Sequence, residues 1–181
     1  IFSILKNAGH SVEYTKQSNN QKMIDEADYI IMPSSIIAHE TEKGIIEKLS
    51  QENKKIFVVG IFANVFKKDY RFKNSHVVIG EPENFFLNLD YSKDNLDTFF
   101  NEDNPKEYAN KMVDNLDDLP FPDWAYYVKK YPLKNNFLNF NSKTAIPILA
   151  SRGCPYSCFN YCTYPLQQGR KVRYRTIENI I

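Results

Sequence analysis

Cys154, Cys158 and Cys162 are the only cysteines in the 181-residue chain, and they share one short stretch, Ser151-Arg152-Gly153-Cys154-Pro155-Tyr156-Ser157-Cys158-Phe159-Asn160-Tyr161-Cys162. Thiolates are soft metal ligands, and several on one segment can surround a cluster when the spacers let the backbone curl around it. With no cysteine elsewhere to pair with, the spacing suggests an iron or zinc site rather than a disulfide framework. Three thiolates on a cubane of four irons leave one iron without a protein ligand, and catalysis requires such an open position. Zinc is the first rival: a structural site takes four ligands, and the only histidines, His10, His39 and His76, are remote in sequence. A disulfide with a spare thiol is the second rival, and inert buried cysteines are the third.

The elements that would hold this loop are legible on both sides of it. Ala145-Ile146-Pro147-Ile148-Leu149-Ala150 reads as a buried strand leading into the first cysteine, and Thr176 is placed to cap a helix starting at Ile177. Upstream, Ile1, Ile4, Leu5 and Ala8 recur at helical spacing before Gly9, and Ser11 to Tyr14 reads as a short strand. Asn19 to Glu26 predicts a helix, and Ala27 to Met32 a strand covered on both faces and closed by Pro33. Thr41 to Asn53 returns to the helical period with Thr41 as its cap. Lys55 to Gly60 and His76 to Gly80 are further buried-strand runs ending in glycine, and Pro82 opens the next helix.

Strands alternating with helices at this spacing predict a doubly wound α/β sheet, whose ligands bind beyond the carboxyl ends of the strands. That rule selects the loops Pro33 to Glu40, Gly60 to Phe66 and Gly80 to Glu83. Between Asp90 and Ser142 the periodicity fades. There Leu116 to Trp124 reads as an extended connector with Phe121 and Trp124 as its anchors, and Phe137 to Phe140 as a hairpin-like run.

The composition is that of a soluble globular chain, 43% hydrophobic and 25% charged, with a net charge of +1. That balance gives no electrostatic reason to expect a nucleic-acid partner, and no apolar run is long enough for a membrane span. Free cysteines without a secretory signature lead to the expectation of a cytoplasmic protein. The absence of an initiator Met leads to the expectation of a segment of a longer chain.

Taken together, Arg152-Gly153-Cys154-Pro155-Tyr156-Ser157-Cys158, the aromatic Tyr161 before Cys162, Tyr164-Pro165-Leu166, Gln168-Gly169-Arg170, Val172-Arg173, Arg175 and Glu178-Asn179-Ile180 resemble the radical S-adenosylmethionine (SAM) superfamily. More narrowly, they resemble its branch with an amino-terminal cobalamin (B12)-binding domain. Gly80-Glu81-Pro82-Glu83 is similar to the turn after that domain's last strand, and Leu119-Pro120-Phe121-Pro122-Asp123-Trp124 to the connector into the catalytic barrel. The superfamily spacing is usually Cys-x3-Cys-x2-Cys. Here the second spacer is one residue longer, an insertion that a local bulge would absorb.

The resemblance implies three parts. Residues 1–95 would form a Rossmann- or flavodoxin-like cobalamin domain lacking its first strand, 96–142 a linker, and 143–181 the start of a truncated TIM-type barrel. It implies a 4Fe-4S cluster on Cys154, Cys158 and Cys162, which reductively cleaves SAM to a 5′-deoxyadenosyl radical for methyl transfer or a related carbon–carbon bond reaction. Tyr161 would border the adenine. Ser34 and Ser35 would hydrogen-bond the cobalamin tail, Gly60 and Gly80 would allow its close approach, and Phe62 and Ala63 would line the corrin edge. Arg152, Arg170, Arg173 and Arg175 would either hold the SAM carboxylate, offset the cluster charge or simply be solvated. A small-molecule substrate and an electron donor such as flavodoxin or ferredoxin complete the expected partners. The segment alone would be catalytically inactive. The alternative is a non-catalytic cobalamin or small-ligand module with a zinc or remnant cysteine site.

Overall fold

The structure is a computed structural model that describes residues 1–15, 20–100, 107–109, 111–131, 146–156, 158 and 162–181. In chain order the elements are α1 (Phe2–Asn7), α2 (Gln21–Glu26), β1 (Ile30–Pro33), α3 (His39–Gln51), β2 (Ile56–Val59), α4 (Ile61–Val65), β3 (Ser75–Ile79), α5 (Pro82–Asn88), α6 (Lys93–Thr98), β4 (Glu107–Ala109), α7 (Trp124–Lys130), β5 (Ser151–Arg152), α8 (Tyr164–Gln168), β6 (Arg173–Tyr174) and α9 (Ile177–Ile180). Short 3-10 turns occupy Lys67–Tyr70 and Leu116–Asp118.

The first four strands form one parallel sheet in the order β1-β2-β3-β4. Side chains alternate across a strand, so each buried strand feeds two cores. On one face Phe57, Val59 and Val78 pack with Ile4 of α1, Phe85 and Phe86 of α5, and Phe100. On the other, Ile56, Val58 and Val77 pack with Ile46 and Leu49 of α3, Ala63 of α4 and Tyr70. This is a mixed α/β architecture with helices on both faces of a parallel sheet, compatible with a Rossmann-like fold. Among the described strands the order runs in one direction, without the reversal that marks a doubly wound switch point.

Most elements lie where periodicity placed them, and the differences have local causes. β2, with a neighbour on each side, is buried throughout. β1 is only half-buried, and among the described residues it pairs on one side alone. α3 begins at His39 rather than at Thr41. The Ser35 hydroxyl accepts from Ala38 N–H at 3.2 Å, while the Glu42 carboxylate accepts from Ser35 N–H at 2.8 Å, closing a reciprocal box before the helix. Ser11 to Tyr14 is no strand, having no strand neighbour among the described residues. Its aromatic side chain instead meets α7, with Tyr14 at 5.8 Å from Tyr127 between ring centroids and edge-on to Tyr131 just beyond the helix.

The connector is anchored by leucines rather than by its aromatics. Val113, Leu116 and Leu119 enter the same core as Phe57, so this stretch is part of the packed sheet layer. Phe121 is 38% exposed and lies under the Arg175 guanidinium, and Trp124 is half-buried at the start of α7.

The expected buried strand before the cysteines is a correction. Ile146, Ile148 and Leu149 are about half exposed, and only Ser151–Arg152 pairs, antiparallel to Arg173–Tyr174. A strand needs a neighbour for its backbone groups, and residues 146–149 have no strand neighbour among the described residues. The run Phe137 to Phe140 lies outside them. No helix is long and apolar enough to cross a membrane among the described residues.

Candidate functional site

The three loops at the carboxyl ends of β1, β2 and β3 are knotted together. Ser34 is buried; its N–H donates to Val59 O at 2.7 Å and its hydroxyl accepts from Ala63 N–H at 2.8 Å. Gly60 sits at φ +113, and a Cβ there would lie 2.6 Å from Ser34 O. Only glycine allows this contact between the β1 and β2 loops. Gly80, at φ +90, donates its N–H to Asn64 Oδ1 at 3.1 Å, tying in the β3 loop.

Ser34, Gly60, Ala63 and Gly80 are therefore brought together, although Ala63 is fully buried and faces the core. The Ser35 hydroxyl is bonded to Glu42 at 2.8 Å. Phe62 lies between His39, at 4.6 Å, and Phe66, at 4.5 Å between ring centroids. In the loop after β1, Ile36 and Ile37 are exposed to 71% and 95%. For a corrin-sized ligand this edge offers an apolar rim and close-packed backbone, while both serine hydroxyls already serve the protein. His10 packs on Tyr91 and His76 is buried beside Phe57, which agrees with structural roles.

The cysteine segment sits on this same edge, with α8 packed against α4. Gly153, at φ +103, passes so close to the backbone of Lys171 that a Cβ would lie 2.2 Å from its carbonyl oxygen. Cys154 N–H then donates to Gly169 O at 3.0 Å, which fixes the start of the loop. All three cysteines are free: Cys154 and Cys162 are half-buried and Cys158 is exposed. Their donor chemistry suits an iron-sulfur cluster, being soft, unpaired and open to a ligand from outside. Among the described residues no three His, Cys, Asp or Glu side chains gather tightly enough to hold a metal, and residues 157 and 159–161 of the loop, with Tyr161, lie outside the described set.

Three of the four arginines around the loop, Arg152, Arg173 and Arg175, are bound within the protein rather than solvated, and Arg170 alone is exposed. Arg173 is buried and grips Glu81 with two nitrogens, at 2.6 and 2.8 Å. Arg152 bonds Glu83 at 2.7 Å and approaches Glu81 at 3.6 Å. Arg175 donates to Leu119 O at 2.9 Å and to Asn179 Oδ1 at 2.8 Å. Arg170 is exposed and reaches Tyr156 O at 3.5 Å. Burial works to raise the Glu83 pKa, but the hydrogen bond and charge of Arg152 outweigh it and hold the carboxyl below its usual range. Sequence reasoning named Glu81 only as part of the turn after β3 and gave it no role of its own, whereas it is fully buried. Its signal was two carboxylates directly after a buried strand in a chain with an arginine-rich segment elsewhere.

Beyond this geometry, comparison with known proteins finds one distant relative. The chain is 22% identical over 156 residues to a bacteriochlorophyllide d C-12(1)-methyltransferase of Chlorobaculum tepidum. The match covers 85% of this chain and 31% of that protein. No protein-family model and no solved structure matches. The chain is thus a distant relative of a methyltransferase and spans about a third of that protein's length.

Proposed function

We propose that the chain is part of a cobalamin-dependent radical SAM enzyme, most consistent with methyl transfer. The observation that carries this reading is that the segments flanking the three-cysteine loop meet the carboxyl edge of a parallel sheet, α8 against α4 and Arg152 and Arg173 against Glu83 and Glu81, the edge at which such sheets bind ligands. The distant likeness to a methyltransferase supports the reaction class.

In this reading Cys154, Cys158 and Cys162 hold a 4Fe-4S cluster, and Tyr161 borders the adenine of SAM. When bound, the cluster supplies the electron that cleaves SAM to a carbon radical. The protein's own contribution is ligation and placement: Gly153 and the Cys154–Gly169 bond fix the loop entry, and α8 fixes its exit against α4. Cobalamin would lie on the β1 to β3 loops, over Phe62, Gly60 and Gly80, with Ser34 and Ser35 beside its tail. Residues 1–95 would form that domain, 96–142 the link and 143–181 the start of the catalytic barrel. A flavodoxin or ferredoxin would donate electrons, and the substrate would be a small molecule.

Two spectroscopic experiments test the reading. After anaerobic reconstitution and reduction, adding SAM should change the electron paramagnetic resonance signal, because SAM ligates the open iron. An unchanged signal contradicts the SAM assignment. Titration with hydroxocobalamin should shift its visible spectrum, and an unaltered spectrum contradicts the cobalamin assignment. The competing reading is a non-catalytic cobalamin or small-ligand module with a zinc or remnant cysteine site, and the lack of a convergent metal group among the described residues favours its remnant form. It predicts no iron-sulfide absorbance, with stoichiometric zinc uptake in the zinc form and no metal uptake in the remnant form.

A further inference from the structure

We propose that Glu81, at the end of β3, is the positioning residue of the cysteine loop. The inference rests on the reading of that loop as an iron-sulfur site. Glu81 is fully buried, and one carboxylate reaches three parts of the chain. Oε2 accepts from Val113 N–H at 2.7 Å and from Arg173 at 2.8 Å, and Oε1 accepts from Arg173 at 2.6 Å. Arg173 and Arg152 face one another across the β5–β6 pair, and Arg152 passes from Glu81, at 3.6 Å, to Glu83, at 2.7 Å.

Both ends of the cysteine loop are therefore referenced to one strand end. Arg152 stands two residues before Cys154. Arg173 also donates to Gln168 O at 2.5 Å, beside the Gly169 carbonyl that receives Cys154 N–H. Two guanidiniums and two carboxylates balance in charge, so this layer adds no net charge beside the cysteine loop. Stability alone is a poor reason for such a layer, because apolar residues of similar volume commonly serve as well as a buried ion pair. What an ion-pair layer adds is a fixed relative position. It sets the cysteine loop against Gly80 and the ligand-binding edge of the sheet.

The test uses the full chain, reconstituted anaerobically with ferrous iron and sulfide, in four forms: unaltered, Glu81→Gln, Glu83→Gln and the core variant Phe57→Leu. The expected result is that Glu81→Gln keeps its circular dichroism but loses iron affinity by up to about tenfold, below what loss of a partner bonded directly to a metal ligand costs. Its visible and paramagnetic spectra should also change. Glu83→Gln should lose less in the same direction, and it carries the test if Glu81→Gln fails to fold. Phe57→Leu should lower urea stability while leaving iron affinity unchanged. The proposal is overturned if a folded Glu81→Gln binds iron as the unaltered chain does, if Glu83→Gln does so where Glu81→Gln fails to fold, or if Phe57→Leu loses as much affinity as the glutamine variants. Failure of the unaltered chain to bind iron overturns the underlying cluster reading and the proposal with it.

Discussion

Glu81 and Arg173 meet as a two-pronged ion pair, nitrogens to oxygens at 2.6 and 2.8 Å, and join the end of a parallel strand to the segment that carries every cysteine. Both side chains are almost wholly removed from solvent, with exposures of 1% and 5%. Removing one partner strands the other's charge. Arg173→Ala is therefore expected to cost about 3–5 kcal/mol, whereas the apolar Arg173→Met paired with Glu81→Leu costs far less. Urea denaturation of the two variants checks this. Equal losses would show that the pair is not desolvated in solution.

The Arg152–Glu83 pair predicts an acid limb in stability. Glu83 has its pKa lowered from the ordinary 4.5, burial opposing and the Arg152 contact prevailing. As the pH falls the unfolded chain takes up this proton first, so the stabilisation is present above the ordinary value and lost as the pH drops through the folded one. Glu83→Gln should be less stable than the unaltered chain at neutral pH. The difference should shrink as the pH falls below 4.5. Stability curves that stay parallel through that range would contradict the assignment.

Two glycines should respond oppositely to alanine. Gly44 lies within α3 with nothing near its missing side chain, so Gly44→Ala should stabilise by about 0.5–1 kcal/mol. Gly153 combines φ +103 with a backbone contact at 2.2 Å, so Gly153→Ala must open the β5–β6 pair. Thermal melts compare the two, and amide exchange at Cys154 locates the damage. A Gly153→Ala variant with native Cys154 protection would refute the tight entry to the loop.

Tyr70 is fully buried, and its hydroxyl has no hydrogen-bond partner among the described residues. Burial, with the negative charges of Glu42 and Asp69 adding to it, raises its pKa to about 12. A buried hydroxyl without a partner is a cost, so Tyr70→Phe should leave stability unchanged or raise it by about 1 kcal/mol. A clear loss of stability in urea would reveal a bond that this hydroxyl makes.

The sheet was legible because Ile56 to Val59 and His76 to Ile79 are apolar runs between breakers, a pattern that a parallel strand covered on both faces imposes. Gly60 and Gly80 were legible as strand ends, and Thr176 as a cap, since its hydroxyl accepts from Asn179 N–H at 3.2 Å. Ser11 to Tyr14 and Ile146 to Ala150 misled, because local pattern reports the capacity to be a strand while pairing depends on a neighbour far away in sequence. Arg152, Arg173 and Arg175 misled in another way. Their charge suggested solvent or ligand, and only the fold brings Glu81, Glu83 and the Leu119 carbonyl to them. Burial of Leu116 and Leu119 was likewise invisible in a stretch without periodicity.

The central claim is that the three cysteines hold an iron-sulfur cluster, and anaerobic titration with iron and sulfide tests it most directly. The account predicts about four irons and four sulfides bound per chain. It predicts that this binding is lost on replacing Cys154, Cys158 or Cys162 by Ala, each replacement in a chain that still folds. Failure of the unaltered chain to bind, or binding that survives Cys154→Ala and Cys158→Ala together, would contradict it.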